Sequence, residues 1–152
     1  MVQVDSSLVN IETGISADGH ACMRVTFAEG NLMQAGCKIP LALTPPGSLS
    51  GIEALGELDT GASGTVINRR ILDRLSLPIE GTVKSVAVNS DCEEELEARR
   101  VAVHFPNGKN ITVTAGVATF ADIDILIGRD LLQFMRFEFD GPKNSFVVVF
   151  AF

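Results

Sequence analysis

At 152 residues, 46% of them hydrophobic, the chain is long enough to bury one core without disulfide or metal staples and too apolar to stay disordered. A net charge of −7 sets it against nucleic acid and anionic membrane, whose protein partners present basic surfaces. Fourteen Gly and six Pro among many Val, Ile and Thr point to short strands and tight turns, with nine Phe supplying all the aromatic bulk. Cys22, Cys37 and Cys92 stand far apart with no C-x-x-C, and two scattered His make no zinc pattern. Reduced structural thiols are expected, with no metal or organic cofactor. Met1-Val2-Gln3-Val4-Asp5 lacks the basic start and apolar core of a signal peptide, and no apolar run reaches the roughly 18 residues of a membrane span. The expectation is a soluble, cytoplasmic protein without a membrane partner.

In chain order, residues 1–20 alternate only weakly, and residues 21–28 read as a strand. Lys38 to Leu43 reads as another, closed by the turn residues Thr44-Pro45-Pro46-Gly47. Ile52 to Leu58 is a strand running straight into Asp59-Thr60-Gly61. Asn68 to Leu75 has the apolar spacing of one or two helical turns, ending before Pro78. Thr82 to Val88 is β-rich, residues 89–95 interrupt it with polar groups, and Leu96 to Phe105 resumes the alternation. Asn107-Gly108 is the pair that a two-residue hairpin turn prefers. Ile111 to Phe120 is a strand, and Ile125-Leu126-Ile127 turns fully apolar before a short helix from Gly128 to Phe134. Two strands, Phe137 to Phe139 and Phe146 to Phe152, flank an Asp140-Gly141-Pro142 turn. The fold class is mainly β with one or two short helices.

The chemistry lies in Leu58-Asp59-Thr60-Gly61-Ala62-Ser63. Asp-Thr-Gly alone is a weak signal, but here an apolar strand delivers the carboxylate to a loop of small residues. Gly61 lets backbone amides approach it, having no Cβ to block them. A second segment, Ile125-Leu126-Ile127-Gly128-Arg129-Asp130-Leu131-Leu132, follows further along the chain.

These two segments resemble the retropepsins, the single-domain aspartic proteases of retroviral type, and in particular their bacterial members. The resemblance covers residues 38–152; residues 1–37 form an N-terminal extension, strand-containing and without a counterpart. It implies a retropepsin-like closed β-barrel, active as a homodimer, in which one Asp59 per chain forms the catalytic dyad. Thr60 would lock the two loops across the dyad, and Gly61 would contact substrate backbone. Ala62, Ser63, Val66 and Leu126 would line the substrate channel, while Gly128 and Arg129 would be structural. A flap hairpin would close over a peptide or protein substrate, its tip near Asn89, Ser90 and Asp91. The apolar C-terminal run from Phe146 would pair with the partner chain, as the family's terminal strands do.

Three departures qualify the likeness. Ser63 stands where viral members carry an acid, so Arg129 must find another acceptor. The flap segment is rich in acids and has no Gly between Thr82 and Arg100. Ala62 brings no hydroxyl to the aspartate, which implies an activity optimum only mildly acidic. The function expected is that of an aspartic endopeptidase; the rival is the same fold serving as a catalytically weak or inactive dimerisation or peptide-binding module.

Overall fold

The computed structural model describes residues 9–28, 32, 35–86 and 93–152. Among these residues, eleven strands and two one-turn α-helices make a mainly β fold, the class expected from the sequence. Strands β3 (Lys38–Thr44), β4 (Ile52–Leu58), β5 (Val66–Asn68), β7 (Glu93–His104), β8 (Asn110–Ala118) and β9 (Ile125–Ile127) follow one another round a ring in the order β3-β4-β9-β5-β8-β7. A second pairing of β7 with β3, at Ala42–His104 through Thr44–Ala102, closes it into a six-stranded barrel. Strand β6 (Thr82–Val86) extends the sheet by pairing with the first half of β7.

The barrel interior explains the sequence alternation. Ile39, Leu41 and Leu43 of β3, Val101 and Val103 of β7, and Ile125 and Ile127 of β9 are buried. Gly56 in β4 is the gap in that packing, because a Cβ there would lie 2.5 Å from Ile127 Cδ1 and 2.6 Å from Leu41 Cδ1. Helix α1 (Arg69–Leu72) is capped by Asn68, whose side chain accepts from the Arg70 amide. The same side chain donates to the carbonyls of Phe120 and Ile123, so a buried asparagine fixes both the helix start and the loop before β9.

A separate four-stranded sheet, in the order β1-β2-β11-β10, packs against the barrel. It joins β1 (Val9–Ile15) and β2 (Ala21–Phe27) to β10 (Met135–Asp140) and β11 (Ser145–Phe150). Met23, Val25 and Phe27 of β2 and Phe146, Val148 and Phe150 of β11 form its buried face. Phe105 from the barrel meets Phe150 with ring centroids 6.0 Å apart.

Four readings of the sequence change here. The C-terminal run from Phe146 does not offer an edge to a partner: β11 is flanked by β2 and β10 of its own chain. The weakly alternating stretch before residue 20 contains strand β1, which is exposed from residue 10 to 15 and so carries no buried-face alternation to reveal it. Glu93 to Glu95 belong to β7 rather than breaking it, since all three are solvent-exposed and Lys84 of β6 pairs with Glu93 at 3.1 Å. The Asn107-Gly108 turn is longer than two residues, with Phe105 N–H bonding the Lys109 carbonyl and Gly108 at φ 80°. Among the described residues, no helix is long and apolar enough to cross a membrane.

Candidate active site

Asp59 sits immediately beyond the end of β4 and is half-buried, with Thr60 and Gly61 exposed beside it. Its backbone N–H bonds the Ile127 carbonyl at 3.0 Å, which continues the parallel β4–β9 pairing one step past the strand. The Gly61 N–H donates to Asp59 Oδ1 at 2.9 Å, and the Ala62 N–H to the Asp59 carbonyl at 3.3 Å. A tight turn thus presents one carboxylate with one oxygen held by an amide. A Cβ at residue 61 would lie 3.2 Å from that oxygen, tight enough to disturb it.

The loop rests on helix α2 (Arg129–Leu132) and the Gly128 that caps it. Gly128 crosses Gly64 so closely that a Cβ on it would sit 2.4 Å from the Gly64 carbonyl carbon and 2.5 Å from its oxygen. Arg129 N–H bonds the Ala62 carbonyl at 2.9 Å, and Asp130 N–H the Ser63 carbonyl at 3.2 Å. The Asp130 carboxylate then grips Thr65 from both sides: Thr65 N–H donates to Oδ2 at 3.0 Å and Thr65 Oγ1 to Oδ1 at 2.7 Å. Thr65 Oγ1 also accepts from the Gly128 N–H at 3.2 Å. Thr65 is 1% exposed, so these bonds are made away from competing water.

Arg129 resolves the problem posed by Ser63. Its Nη1 donates to the Thr60 carbonyl at 2.8 Å, so the guanidinium supports the Asp-Thr-Gly turn through backbone instead of an acid. Val66 and Leu126 are direct cross-strand partners in the β5–β9 pair, and both are half-buried. Residues that share such a pair point to the same face of the sheet. The sequence-derived site therefore converges on one place: Asp59, Thr60, Gly61, Ala62 and Ser63 in the turn, Gly128 and Arg129 beneath it, Val66 and Leu126 on adjoining strands.

The flap segment converges only in part. Strands β6 and β7 form its expected hairpin, with Thr82 opposite Glu97 and Val86 opposite Glu93. Asn89, Ser90 and Asp91 lie outside the described residues. At the hairpin base, Arg99 is 8% exposed and bonds Glu97 at 2.6 Å and Asp73 at 3.2 Å, tying β7 to the 3-10 turn after α1.

Thr65 and Asp130 are the residues that sequence reasoning passed over as site members. The signal was present, since a hydroxyl directly after the small-residue turn and a carboxylate directly after Gly-Arg can satisfy each other. Only the crossing of Gly128 over Gly64 reveals that they meet. Among the described residues, no group of three or more His, Cys, Asp or Glu side chains is placed to hold a metal ion.

No protein-family model matches the chain, and no curated protein matches it. Among solved structures it is similar to a retropepsin-like aspartic protease from Rickettsia conorii, at 19% identity and TM-score 0.47, over 93% of this chain and 95% of that one. It is also similar to EIAV protease complexed with the inhibitor HBY-793, at 19% identity and TM-score 0.48, over 64% of this chain and 86% of that one. A third likeness is to the retroviral protease-like domain of Ddi1 from Leishmania major, at 19% identity and TM-score 0.44, over 72% of this chain and 84% of that one. Each of these three is a protease or protease-like domain of retroviral or retropepsin-like kind.

Proposed function

We propose that this protein is an aspartic endopeptidase whose active site forms when two copies bring their Asp59 turns together. The observation that carries the reading is a single half-buried carboxylate, held through one oxygen by the Gly61 amide, on a turn braced from below by Arg129, Asp130 and Thr65. Bracing of this kind holds a reacting group in place, a requirement of catalysis that surface turns do not share. One carboxylate cannot be ionised to take a proton from water and protonated to face the leaving amine at the same moment. Two close together can, because like charges at short range cannot both ionise and they share one proton.

In the step that follows from this, the ionised Asp59 takes a proton from water while the new hydroxide adds to the peptide carbonyl carbon. The protonated Asp59 of the other copy gives its proton to the amide nitrogen as the C–N bond breaks. Thr60 would hold the two turns in register, and the Val66–Leu126 pair would take an apolar substrate side chain. Ala62 and Ser63 would flank the peptide backbone, with the β6–β7 hairpin above it.

The test is cleavage of a peptide library by wild type and by Asp59→Asn, at about pH 4 to 7, around and above the ordinary carboxylate range. Wild type should cut and Asp59→Asn should lose at least about a hundredfold in rate, the scale of removing a general acid–base group. Equal cleavage by both ends the proposal. Retained peptide binding with no cleavage by either would favour a binding module.

A further inference from the structure

The outer face of the barrel sheet that carries Leu126 and Val66 continues on both sides of them. The register sets Glu57 of β4 against Leu126 of β9, Leu126 against Val66 of β5, and Val66 against Gly116 of β8. Paired residues on neighbouring strands share a face, so these four form one row across the sheet. Their neighbours along the strands, Ile67, Val117, Ile125 and Ile127, are buried on the opposite face, inside the barrel. At the far end of the row, a Cβ on Gly116 would lie 3.1 Å from Val83 Cγ2 and 3.2 Å from Leu96 Cδ1. The β6–β7 hairpin therefore roofs that end with apolar side chains. The row is apolar from Gly116 to Leu126 and ends in one carboxylate.

That carboxylate is set towards the Asp59 turn. Glu57 precedes Asp59 by one strand period, about 7 Å. Lys38 of β3 stands directly opposite Glu57, yet among the described residues neither makes a salt bridge. Glu57 Oε1 lies instead beside Gly36, where a Cβ would be 3.0 Å away. Leu58 N–H bonds the Cys37 carbonyl at 2.9 Å, so the β3–β4 register carried one step on sets Gly36 level with Asp59. Gly36 has φ 70°, which favours glycine, and its missing side chain leaves the carboxylate its space. Glu57 is half-buried there. A half-buried charge with no counter-ion among the described residues is a site where a bound cation gains most.

We propose that Glu57 selects a lysine or arginine beside the scissile bond of the substrate. The inference rests on the peptidase reading, which lays the peptide along this row. A long basic side chain has an apolar stem and a charged head. Its methylenes suit Leu126, and its head reaches Glu57, one strand away. A glutamate in the same place meets a like charge, and an aliphatic side chain leaves the carboxylate without a partner. Val66, with Val83 and Leu96 around Gly116, takes an apolar residue farther along the peptide. Two copies bring one Glu57 to each side of the bond, so the preference holds on both sides.

The experiment uses three matched peptides of alanine, valine and phenylalanine that differ at one central position, which holds lysine, norleucine or glutamate. Cleavage is followed by mass at about pH 6, above the ordinary range of a glutamate. Wild type should cut the lysine peptide beside its lysine. Its kcat/KM there should exceed that for norleucine by roughly tenfold to a hundredfold, the scale of a charge-assisted hydrogen bond. The glutamate peptide should be the poorest. Glu57→Gln should bring the lysine rate down to the norleucine rate, and Glu57→Lys should reverse the order of lysine and glutamate. Glu53→Gln, which removes an exposed charge farther back on β4, should keep the wild-type order. Thermal melts establish that each variant is folded. Fluorescence anisotropy of the same peptides on Asp59→Asn, with and without Glu57→Gln, repeats the comparison without cleavage. Equal cutting of the lysine and norleucine peptides by wild type overturns the proposal. So does a Glu57→Gln that slows all three alike, which would mean a part in the reaction or the fold instead of in selection. Lysine-selective binding that Glu57→Gln abolishes, with no cleavage by wild type, leaves the recognition standing and removes only the catalytic reading. Peptides neither cut nor bound overturn both.

Discussion

At the scale of single residues, the support of the Asp59 turn rests on two contacts that leave no slack. Thr65→Val removes the hydroxyl that bonds Asp130 and the Gly128 amide, leaving the buried Gly128 N–H without that partner and Asp130 Oδ1 with the Leu131 amide alone. Leaving such groups unpaired costs about 1–3 kcal/mol. A denaturant titration should show that loss, and cleavage should fall further than stability alone explains, because the turn shifts with it. Gly128→Ala is the harsher change, since its Cβ would meet rigid Gly64 backbone instead of a side chain that can move aside. Overpacking typically costs about 1–3 kcal/mol, and here the upper end or beyond is expected from the same titration. Cys37 tests the electrostatics nearby. Burial, and then the charge of Glu57, push its thiol up to about 11 from 9.0. The thiol is therefore the favoured form in the fold, and the stability that goes with it is complete below about pH 9 and lost as the pH rises towards 11. Alkylation of Cys37 followed by peptide mapping at about pH 9, where the unshifted thiol is half ionised, should be several-fold slower in the native protein than in urea.

At the scale of elements, the β1–β2 hairpin is as much a part of the fold as the barrel strands. β2 lays Met23, Val25 and Phe27 against β11, and Phe27 stacks on Phe146 with centroids 6.1 Å apart. Burying side chains of this size stabilises by about 1.5–3 kcal/mol each. Three of them together rival the roughly 5–15 kcal/mol net stability of a typical domain. Deleting the first 28 residues should therefore give an insoluble or molten chain, read by the loss of a cooperative melt, and the bared edge of β11 would add to its aggregation. The sequence made most of the barrel legible for the same reason that it folds: β3, β4, β8 and β9 alternate or run apolar between clear turn residues. It hid β1, exposed at every position from 10 to 15 and with Asn10, Glu12 and Thr13 among its residues, and β5, which is three residues long and gains its identity only from its neighbours β8 and β9. The site was legible where chemistry is local, in Asp59 to Ser63. It was illegible where two distant chain segments cross, at Thr65 with Asp130 and at Arg129 with the Thr60 carbonyl. The placing of β11 illustrates the limit best. Phe146 to Phe150 reads correctly as a strand, but periodicity says which face is buried and not whose strand lies beside it.

At the scale of the whole molecule, one chain closes a barrel, covers it with its own four-stranded sheet and still presents only one Asp59. The barrel and its covering sheet are built from strands of one chain, while half of what the proposed chemistry needs lies outside it. Folding and activity should therefore respond differently to a chain that folds but cannot react. Asp59→Asn changes one atom of a half-exposed side chain and leaves the Gly61 amide an oxygen to bond, so it should fold and assemble like wild type. Mixed dimers then carry one competent carboxylate and one amide, which cannot share a proton, and should be inert. With wild type held constant, above the dimer Kd and free to exchange, an equal amount of Asp59→Asn leaves about half of the wild-type chains paired with each other, and a threefold excess leaves about a quarter. Peptide cleavage should fall in those proportions, while the melting temperature of the mixture stays at that of wild type. Cleavage that is unmoved by any excess of Asp59→Asn, in a mixture shown by mass to have exchanged, would mean that a single chain is the working unit and that Asp59 does not act as half of a pair.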